Sequence, residues 1–370
     1  MNPVRIAVVG LGYWGPNLAR NVQELDSAEL STICDVNPER LGAISRRFPG
    51  ARSCQSYEEI LSDTCIDAVV IATPVSSHFP LGRAALEAGK HVLIEKPLAA
   101  SSAECLELIR LADVRDLVLM PGHTFLYSPP VVVVRELIQA GNLGEICFIS
   151  TSRVNLGLHQ ADVSVTWDLG PHDFSILRYW LGEGPATVSA LTRGFVIPSI
   201  PDVAFIDLEF PSGTIAHVEL SWLAPSKLRR TTIVGSEKMV VYDDTSTEPV
   251  RIFDSGVDLK DPQTFGEYQL TYRAGDIISP RVDAVEPLSL ELKDFCDAIR
   301  LGIPPRSSSA VGLEVVRMIE AVDRSRDRGG ATVAVRELDA IALAQPRSTS
   351  FDAQASSRES GVSGRAAAST

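Results

Sequence analysis

The 370-residue sequence is poor in paired cysteines, in positive charge and in long apolar runs, and each shortage removes a class of protein. Its six cysteines, Cys34, Cys54, Cys65, Cys105, Cys147 and Cys296, include no CxxC pair. None stands at zinc spacing from another cysteine or a histidine, so neither a disulfide framework nor a metal site is expected. Scattered single cysteines suit a reducing compartment, where they act as small buried hydrophobes. Lys and Arg number 34 against 47 Asp and Glu, a net charge of -13. That balance argues against nucleic acid or an anionic membrane surface as partner. No apolar stretch approaches the roughly 20 residues of a membrane helix. The run Ile6 to Val9 is too short for the apolar core of a secretion signal and stops at Gly10. A cytoplasmic location is the expectation, and no repeat period is visible.

What is present has the balance of a globular enzyme, with 45% hydrophobic and 22% charged residues. The length suits two domains. The first third alternates short β-branched runs with helical patterns. Strands are predicted at Val4–Val9, Leu30–Cys34, Ala68–Ala72, His91–Ile94 and Leu117–Met120. Helices are predicted at about Pro16–Leu25, Pro38–Phe48, Ser77–Ala88 and Ser101–Leu111. Such alternation implies a doubly wound α/β domain with a parallel sheet. After Pro129-Pro130 a helix, Val131–Gln139, precedes long strand-like segments. These are Glu145–Val154, Thr187–Val196, Val203–Phe210, Thr214–Trp222, Arg229–Val234 and Lys238–Tyr242. Helices are predicted at about Pro171–Leu181, Pro287–Leu301 and Ala310–Arg324. The second part therefore reads as an α+β domain with a large, mostly antiparallel open sheet. From Pro346 the chain is rich in Ser, Ala and charge, and reads as a disordered tail. The expected division is 1–122, 123–345 and 346–370.

Gly10-Leu11-Gly12-Tyr13-Trp14-Gly15 is a full GxGxxG between a predicted strand and a predicted helix, the context that gives the pattern its meaning. Gly10 permits a tight turn, Gly12 lets backbone approach a pyrophosphate, and Gly15 lets helix and strand pack closely. The pyrophosphate would face free N–H groups at the helix N-terminus. Asp35 ends the second strand about 20 residues past Gly15, where an acid hydrogen-bonds the adenine ribose. A carboxylate there would repel a 2′-phosphate, so NAD is favoured over NADP. Arg40 could stack on the adenine or reach a phosphate.

Two further stretches fall at C-terminal strand ends, where such sheets bind ligands. In Ala72-Thr73-Pro74-Val75-Ser76-Ser77-His78, Thr73 and His78 are candidate cofactor neighbours; a capped helix start accounts for the run equally well. In Glu95-Lys96-Pro97, a partly desolvated lysine can donate to a substrate oxygen and move a proton. In the second domain, Asp168 and His172 are four apart at a helix start, so both project from one face. The acid can fix the tautomer of the imidazole, which passes a proton to or from the reacting oxygen. A helix cap and a buried structural histidine would give the same spacing. Whether Lys96 or His172 is the final base stays open.

Taken together, Gly10–Gly15, the ATPxxxH run, Glu95-Lys96-Pro97 and the DxxxH pair resemble the Gfo/Idh/MocA oxidoreductases, in order and spacing, over about Val4 to Arg324. The resemblance implies a Rossmann domain followed by an open, mostly antiparallel sheet. It implies that Lys96, Asp168 and His172 line a substrate site, with Glu95 and His78 near the nicotinamide ribose. Tyr13, Trp14, Thr73, Pro74 and His123 would complete the NAD site. Within the family, Gly122–Pro129 and Arg153–His159 look closest to dehydrogenases acting on carbon 3 of UDP-N-acetylglucosamine or its uronic acid. Tyr127, Arg153 and Asn155 would then contact substrate, Arg153 and Asn155 by holding a diphosphate or carboxylate; a surface pairing role for Arg153 is the alternative. The expected activity is NAD(H)-dependent oxidoreduction of a nucleotide-linked sugar. A free polyol or sugar as substrate, or a non-catalytic sensor on the same fold, are the alternatives. The alternating segments Thr187–Val196 and Thr214–Trp222 suggest a covered sheet face, hence a homodimer or homotetramer.

Overall fold

The computed structural model describes residues 2–157, 159, 163–260 and 269–336, and the structural statements below concern these. The expected tail, 346–370, lies outside them.

The N-terminal sheet grows from continuous apolar runs buried on both faces. Its strands are β1 (Val4–Val9), β2 (Ala28–Cys34), β3 (Arg52–Cys54), β4 (Ala68–Ile71), β5 (His91–Glu95) and β6 (Leu119–Gly122). They pair in parallel in the order β3-β2-β1-β4-β5-β6, the doubly wound arrangement. The helices between them are α1 (Gly15–Glu24), α2 (Pro38–Ser45), α3 (Tyr57–Ser62), α4 (His78–Glu87) and α5 (Ser102–Arg115). Local chemistry fixes several starts. Asn37 caps α2 by accepting from the Arg40 N–H, with Pro38 beginning the helix. Ser101 caps α5 through the Glu104 N–H. The sequence missed β3 and α3, which at three and six residues are too short for a period to register.

Helix α6 (Pro129–Gln139) leads into a nine-stranded sheet. Its members are β7 (Ile146–Leu156), β8 (Thr187–Arg193), β9 (Val203–Glu209), β10 (Ile215–Ser221), β11 (Leu223–Gly235), β12 (Met239–Asp243), β13 (Val250–Lys260), β14 (Gln269–Ile278) and β15 (Val333–Ala334). Every pairing is antiparallel except β7 with β10. Strict alternation in β9 and β10 turns Ala204, Ile206, Leu208, Ala216, Val218 and Leu220 inward. They pack beneath α7 (Val165–Leu181) and α9 (Ser309–Asp327), around Phe174, Trp180 and Trp222. The opposite face is open and carries Phe148, Leu191, Phe205 and Ile215. The sequence indicated no strand beyond Tyr242, whereas β13 and β14 extend the sheet there. Helix α8 (Pro287–Leu301) turns back to the N-terminal sheet: Leu288, Leu292, Phe295 and Cys296 join the core of Ile6, Val8, Leu18 and Met120.

Helix α7 begins six residues before the predicted start. Ser164 caps it, its side chain accepting from the Trp167 N–H, and Pro171 lies inside it rather than at its first turn. Proline lacks the N–H that the Trp167 carbonyl would otherwise take, which opens the helix on that side.

Candidate active site

At the glycine loop, Gly10 has φ +89°, and a Cβ there would lie 2.6 Å from the Ala72 carbonyl oxygen. A Cβ on Gly15 would lie 1.9 Å from the Gly10 carbonyl oxygen, so helix and strand touch through backbone. A Cβ on Gly12 would meet nothing within 4 Å. Helix α1 starts without a side-chain cap and without an acid in its first turn. Pro16 carries no N–H and the Asn17 N–H closes on the Trp14 carbonyl, so an anion at this end of the sheet would be met by the N–H groups of the Gly12–Gly15 loop, a place that fits a dinucleotide pyrophosphate. Tyr13 is exposed, Trp14 half-buried and Pro74 exposed beside the loop. Asp35 is buried, and its carboxylate accepts from Leu11 N–H at 2.7 Å, Asn37 N–H at 2.8 Å and Arg40 Nη1 at 3.2 Å.

The chemical groups converge from both sheets. Lys96, just past β5, donates from Nζ to the Asp168 carbonyl oxygen at 2.7 Å and to Asp168 Oδ1 at 3.0 Å. Trp222 Nε1 donates to the other Asp168 oxygen at 3.3 Å. His172, one turn along α7, is half-buried, with the Phe125 ring edge-on at 4.9 Å. Arg153 and Arg229 lie over that same phenyl ring, at 4.7 Å and 5.8 Å from its centroid. Burial first, and then the charges of Lys96, Arg153 and Arg229, hold the His172 imidazole well below its usual range. It is therefore neutral at physiological pH. His123 is buried, and burial with the nearby Lys96 pushes it down to about 3. Glu95, at the end of β5, is pushed up to about 7 by burial. A cavity of about 340 Å³ lies alongside, lined by Val75, Ser76, Ala100, Trp167, Asp323 and Arg326 among others; Lys96, Asp168 and His172 are not in its wall. Among the described residues, no group of three or more His, Cys, Asp or Glu is placed to hold a metal. Nor is any helix among them long and apolar enough to cross a membrane.

Two family models match consecutive stretches that together make up more than half of the chain. Residues 4–123 match the oxidoreductase family NAD-binding Rossmann fold, and residues 131–241 match the GFO/IDH/MocA C-terminal domain. The chain belongs to the Gfo/Idh/MocA oxidoreductase family. Among curated relatives, an inositol 2-dehydrogenase of Saccharopolyspora erythraea is 28% identical over 225 residues, covering 59% of this chain and 66% of the relative. The UDP-N-acetylglucosamine 3-dehydrogenase of Acidithiobacillus ferrooxidans is 29% identical over 241 residues, covering 65% of this chain and 74% of the relative. For three of the curated relatives, the match spans only 61 to 66% of their own length. Among solved structures, GenD2 from gentamicin A biosynthesis, in complex with NAD, superimposes with a TM-score of 0.77 at 25% identity. That match covers 91% of this chain and 97% of the other.

Against this Gfo/Idh/MocA frame, the geometry joins Lys96 to Asp168 and brings His123 and His172 near them. It corrects four expectations. Asp168 does not orient His172: its carboxylate is taken by Lys96 and Trp222, and His172 Nδ1 has no partner among the described residues. His78 has no ring nitrogen left for a ribose: its ring is buried between the Pro97 carbonyl at 2.8 Å and the Thr73 carbonyl at 2.9 Å, tying two loops together. Tyr127 is buried as well; its hydroxyl donates to Asp294 at 2.7 Å and accepts from the Ser307 N–H at 3.0 Å. Arg153 is neither on the surface nor free for a diphosphate. It is buried against Asp173, with Nε donating at 2.6 Å. Asn155 sits half-buried near the end of β7. Sequence reading missed Phe125, Trp222 and Arg229. Phe125 stands two residues past His123, Trp222 is a buried residue between β10 and β11, and Arg229 continues the inward face of Thr231 and Ile233, and none of these places carries a motif.

Proposed function

We propose that this chain is an NAD-dependent dehydrogenase acting on a secondary alcohol of a cyclic sugar or polyol, with a nucleotide-linked sugar as substrate class. The observation that carries the reading is the meeting of Lys96, Asp168 and the neutral His172 at the C-terminal edge of an NAD-binding sheet. Bound NAD supplies the two-electron acceptor. An ammonium has three donors; two on Lys96 are held by Asp168, which leaves one for the substrate oxygen. That contact strengthens as charge builds on the oxygen, which is where a hydrogen bond lowers a barrier. His172 carries a free lone pair at neutral pH and takes the hydroxyl proton. Asp168 fixes the lysine, and Trp222 fixes Asp168.

The nucleotide-sugar class draws support from the UDP-N-acetylglucosamine 3-dehydrogenase relative; the inositol 2-dehydrogenase relative supports the polyol alternative with equal strength. With Arg153 and Tyr127 turned inward, the residues left to meet an acidic substituent are Asn155 and Arg229, the latter paired with Asp244 at 3.0 Å but only partly buried. The test incubates the protein with NAD and, separately, UDP-N-acetylglucosamine, its uronic acid, myo-inositol and free hexoses. NADH absorbance and a product lighter by two hydrogens are expected with a UDP-sugar. Turnover with myo-inositol alone would move the substrate to the polyol class. No turnover with any of them, despite tight NAD binding, would favour a sensor. A second copy of the chain is the expected partner of the open sheet face, where Ile215 pairs with Phe148 and Leu191 with Phe205 across neighbouring strands. Light scattering that reports a monomer at micromolar concentration would remove that partner.

A further inference from the structure

Beneath Lys96, the ends of β5 and β6 and the middle of α8 enclose an unusual set of polar atoms. Glu95 and Gly122 are register partners, and His123 and Thr124 follow. Thr124 Oγ1 donates to Glu291 Oε2 at 2.8 Å. Glu291, on α8, is fully buried. Glu95 Oε1, Glu291 Oε1, both ring nitrogens of His123 and Nδ1 of His172 are all enclosed with no hydrogen-bond partner among the described residues. One such atom costs about 1–3 kcal/mol, and native interiors hold few of them. Here five fall on four titratable residues, three of which, Glu95, His123 and His172, feel the charge of Lys96.

We propose that Glu95 and Glu291 hold a shared proton under the active site and that His123 links this pair to His172 as a proton relay. Two ionised carboxylates offer only acceptors and repel each other; a proton on one supplies the missing donor. Burial, and then the charge of Glu95, keep Glu291 protonated well above the usual carboxylate range. The groups facing the pair are few. Glu291 accepts from Thr124 and feels the charges of Glu95 and, from its own helix, Asp294; Asp294 is itself occupied by Tyr127 and the Arg306 N–H. Glu95 meets Lys96 and the Trp14 indole. His123 feels the charge of Lys96, and His172 feels Lys96, Arg153, Arg229 and His123.

The relay rests on the dehydrogenase reading above. Oxidation of the alcohol releases one proton, which His172 accepts. An imidazolium surrounded by three cations is unfavourable, so the proton leaves from Nδ1 toward His123. His123, a neutral imidazole, accepts on one nitrogen and releases from the other. The proton ends on the carboxyl pair, whose remaining ionised oxygen titrates near neutrality. Internal water can bridge any step whose partners are not in direct contact. Glu291 touches no substrate and acts through His123 and His172.

Two sets of measurements, the first on the carboxyl pair and the second on the relay, test this. In the infrared spectrum of the full protein, a protonated-carboxyl band is expected at pH 8 and should vanish in Glu291→Gln. This readout needs no activity, so it judges the pair even if every sugar fails to reduce NAD. Absence of the band in the wild type overturns the shared proton. Stability gives the same sign. A carboxyl held protonated in the fold stabilises fully below its unfolded value of 4.5 and loses that contribution as pH rises. The wild-type urea midpoint should therefore fall from pH 6.5 to 9 relative to Glu291→Gln, a range in which the unfolded histidines are already largely neutral. In the second set, His123→Gln should keep a pre-steady-state burst of NADH. Its steady-state oxidation should drop about tenfold or more and lose the acid limb near pH 7. An unchanged acid limb in that variant overturns the relay.

Discussion

At the glycine loop, the groups that would meet the pyrophosphate are backbone groups, and all come from a few adjacent residues: Gly10, Gly12, Gly15 and the start of α1. Around Lys96 the working groups are side chains, drawn from β5, β7, α7, β11 and the segment after β6. The first site needs space and free N–H groups, which glycine provides wherever the strand–turn–helix path is kept. The second needs charges buried in alternation, with Lys96 on Asp168, Arg153 on Asp173 and Arg229 on Asp244. Each charge there is tolerated only because its neighbour is present. One end of the cleft is thus robust to side-chain change, and the other depends on pairs.

The largest expected difference between the two ends is in stability. Arg153→Ala leaves Asp173 buried with only the Thr151 hydroxyl as a side-chain donor, at 3.1 Å. Removing one partner of a buried pair costs about 3–5 kcal/mol. Arg40→Ala, at the cofactor end, removes a half-exposed cation from a carboxylate that keeps two backbone donors, and should cost no more than about 1 kcal/mol. Urea unfolding of the two variants side by side gives the comparison, and equal losses would break it.

A kinetic contrast of next size follows from Lys96. Lys96→Ala should lower turnover by roughly 100-fold or more, while NAD affinity stays within a few-fold, because the lysine is bonded to Asp168 and not to the glycine loop. Isothermal titration with NAD and steady-state rates on the same preparation separate these effects. Parallel loss of both would mean that the lysine shapes the cofactor site too.

The same division explains what the sequence made legible. The glycine motif, Asp35, Glu95-Lys96-Pro97 and the Asp168/His172 spacing are local, and each kept its place at a strand end or helix start. The alternating sheet and most of its strands were also readable from period alone. Pairing across the chain was not. Arg153 and Tyr127 are polar residues next to an apparent pocket, and nothing in a strand's alternation says whether such a residue faces a ligand or a buried acid. Arg153 found Asp173, and Tyr127 found Asp294. Asp168 was matched to His172 because the two are four apart on one helix, but Lys96 and Trp222 come from distant elements and carry donors that a carboxylate prefers. Glu291 has no motif of its own; only the return of α8 to the first sheet brings it near Glu95.

The smallest effect sharpens the cofactor end. Asp35 is a side chain that holds the glycine loop, since it accepts from the Leu11 N–H within that loop as well as from Arg40. In Asp35→Ala the acid that would meet a ribose hydroxyl is gone, and the Arg40 guanidinium loses its partner at a half-exposed position suited to a 2′-phosphate. The preference for NAD over NADP should fall by about tenfold, the equivalent of one charge-assisted hydrogen bond of about 1.5 kcal/mol. Asp35→Asn separates the two causes. Its amide oxygen still serves the Leu11 N–H, so NAD affinity should be largely kept, while the loss of negative charge alone should still admit NADP. The ratio of kcat/KM values for the two dinucleotides reads the change directly. An unaltered ratio in both variants would mean that ribose selection is made elsewhere, and that Asp35 serves only to hold the loop.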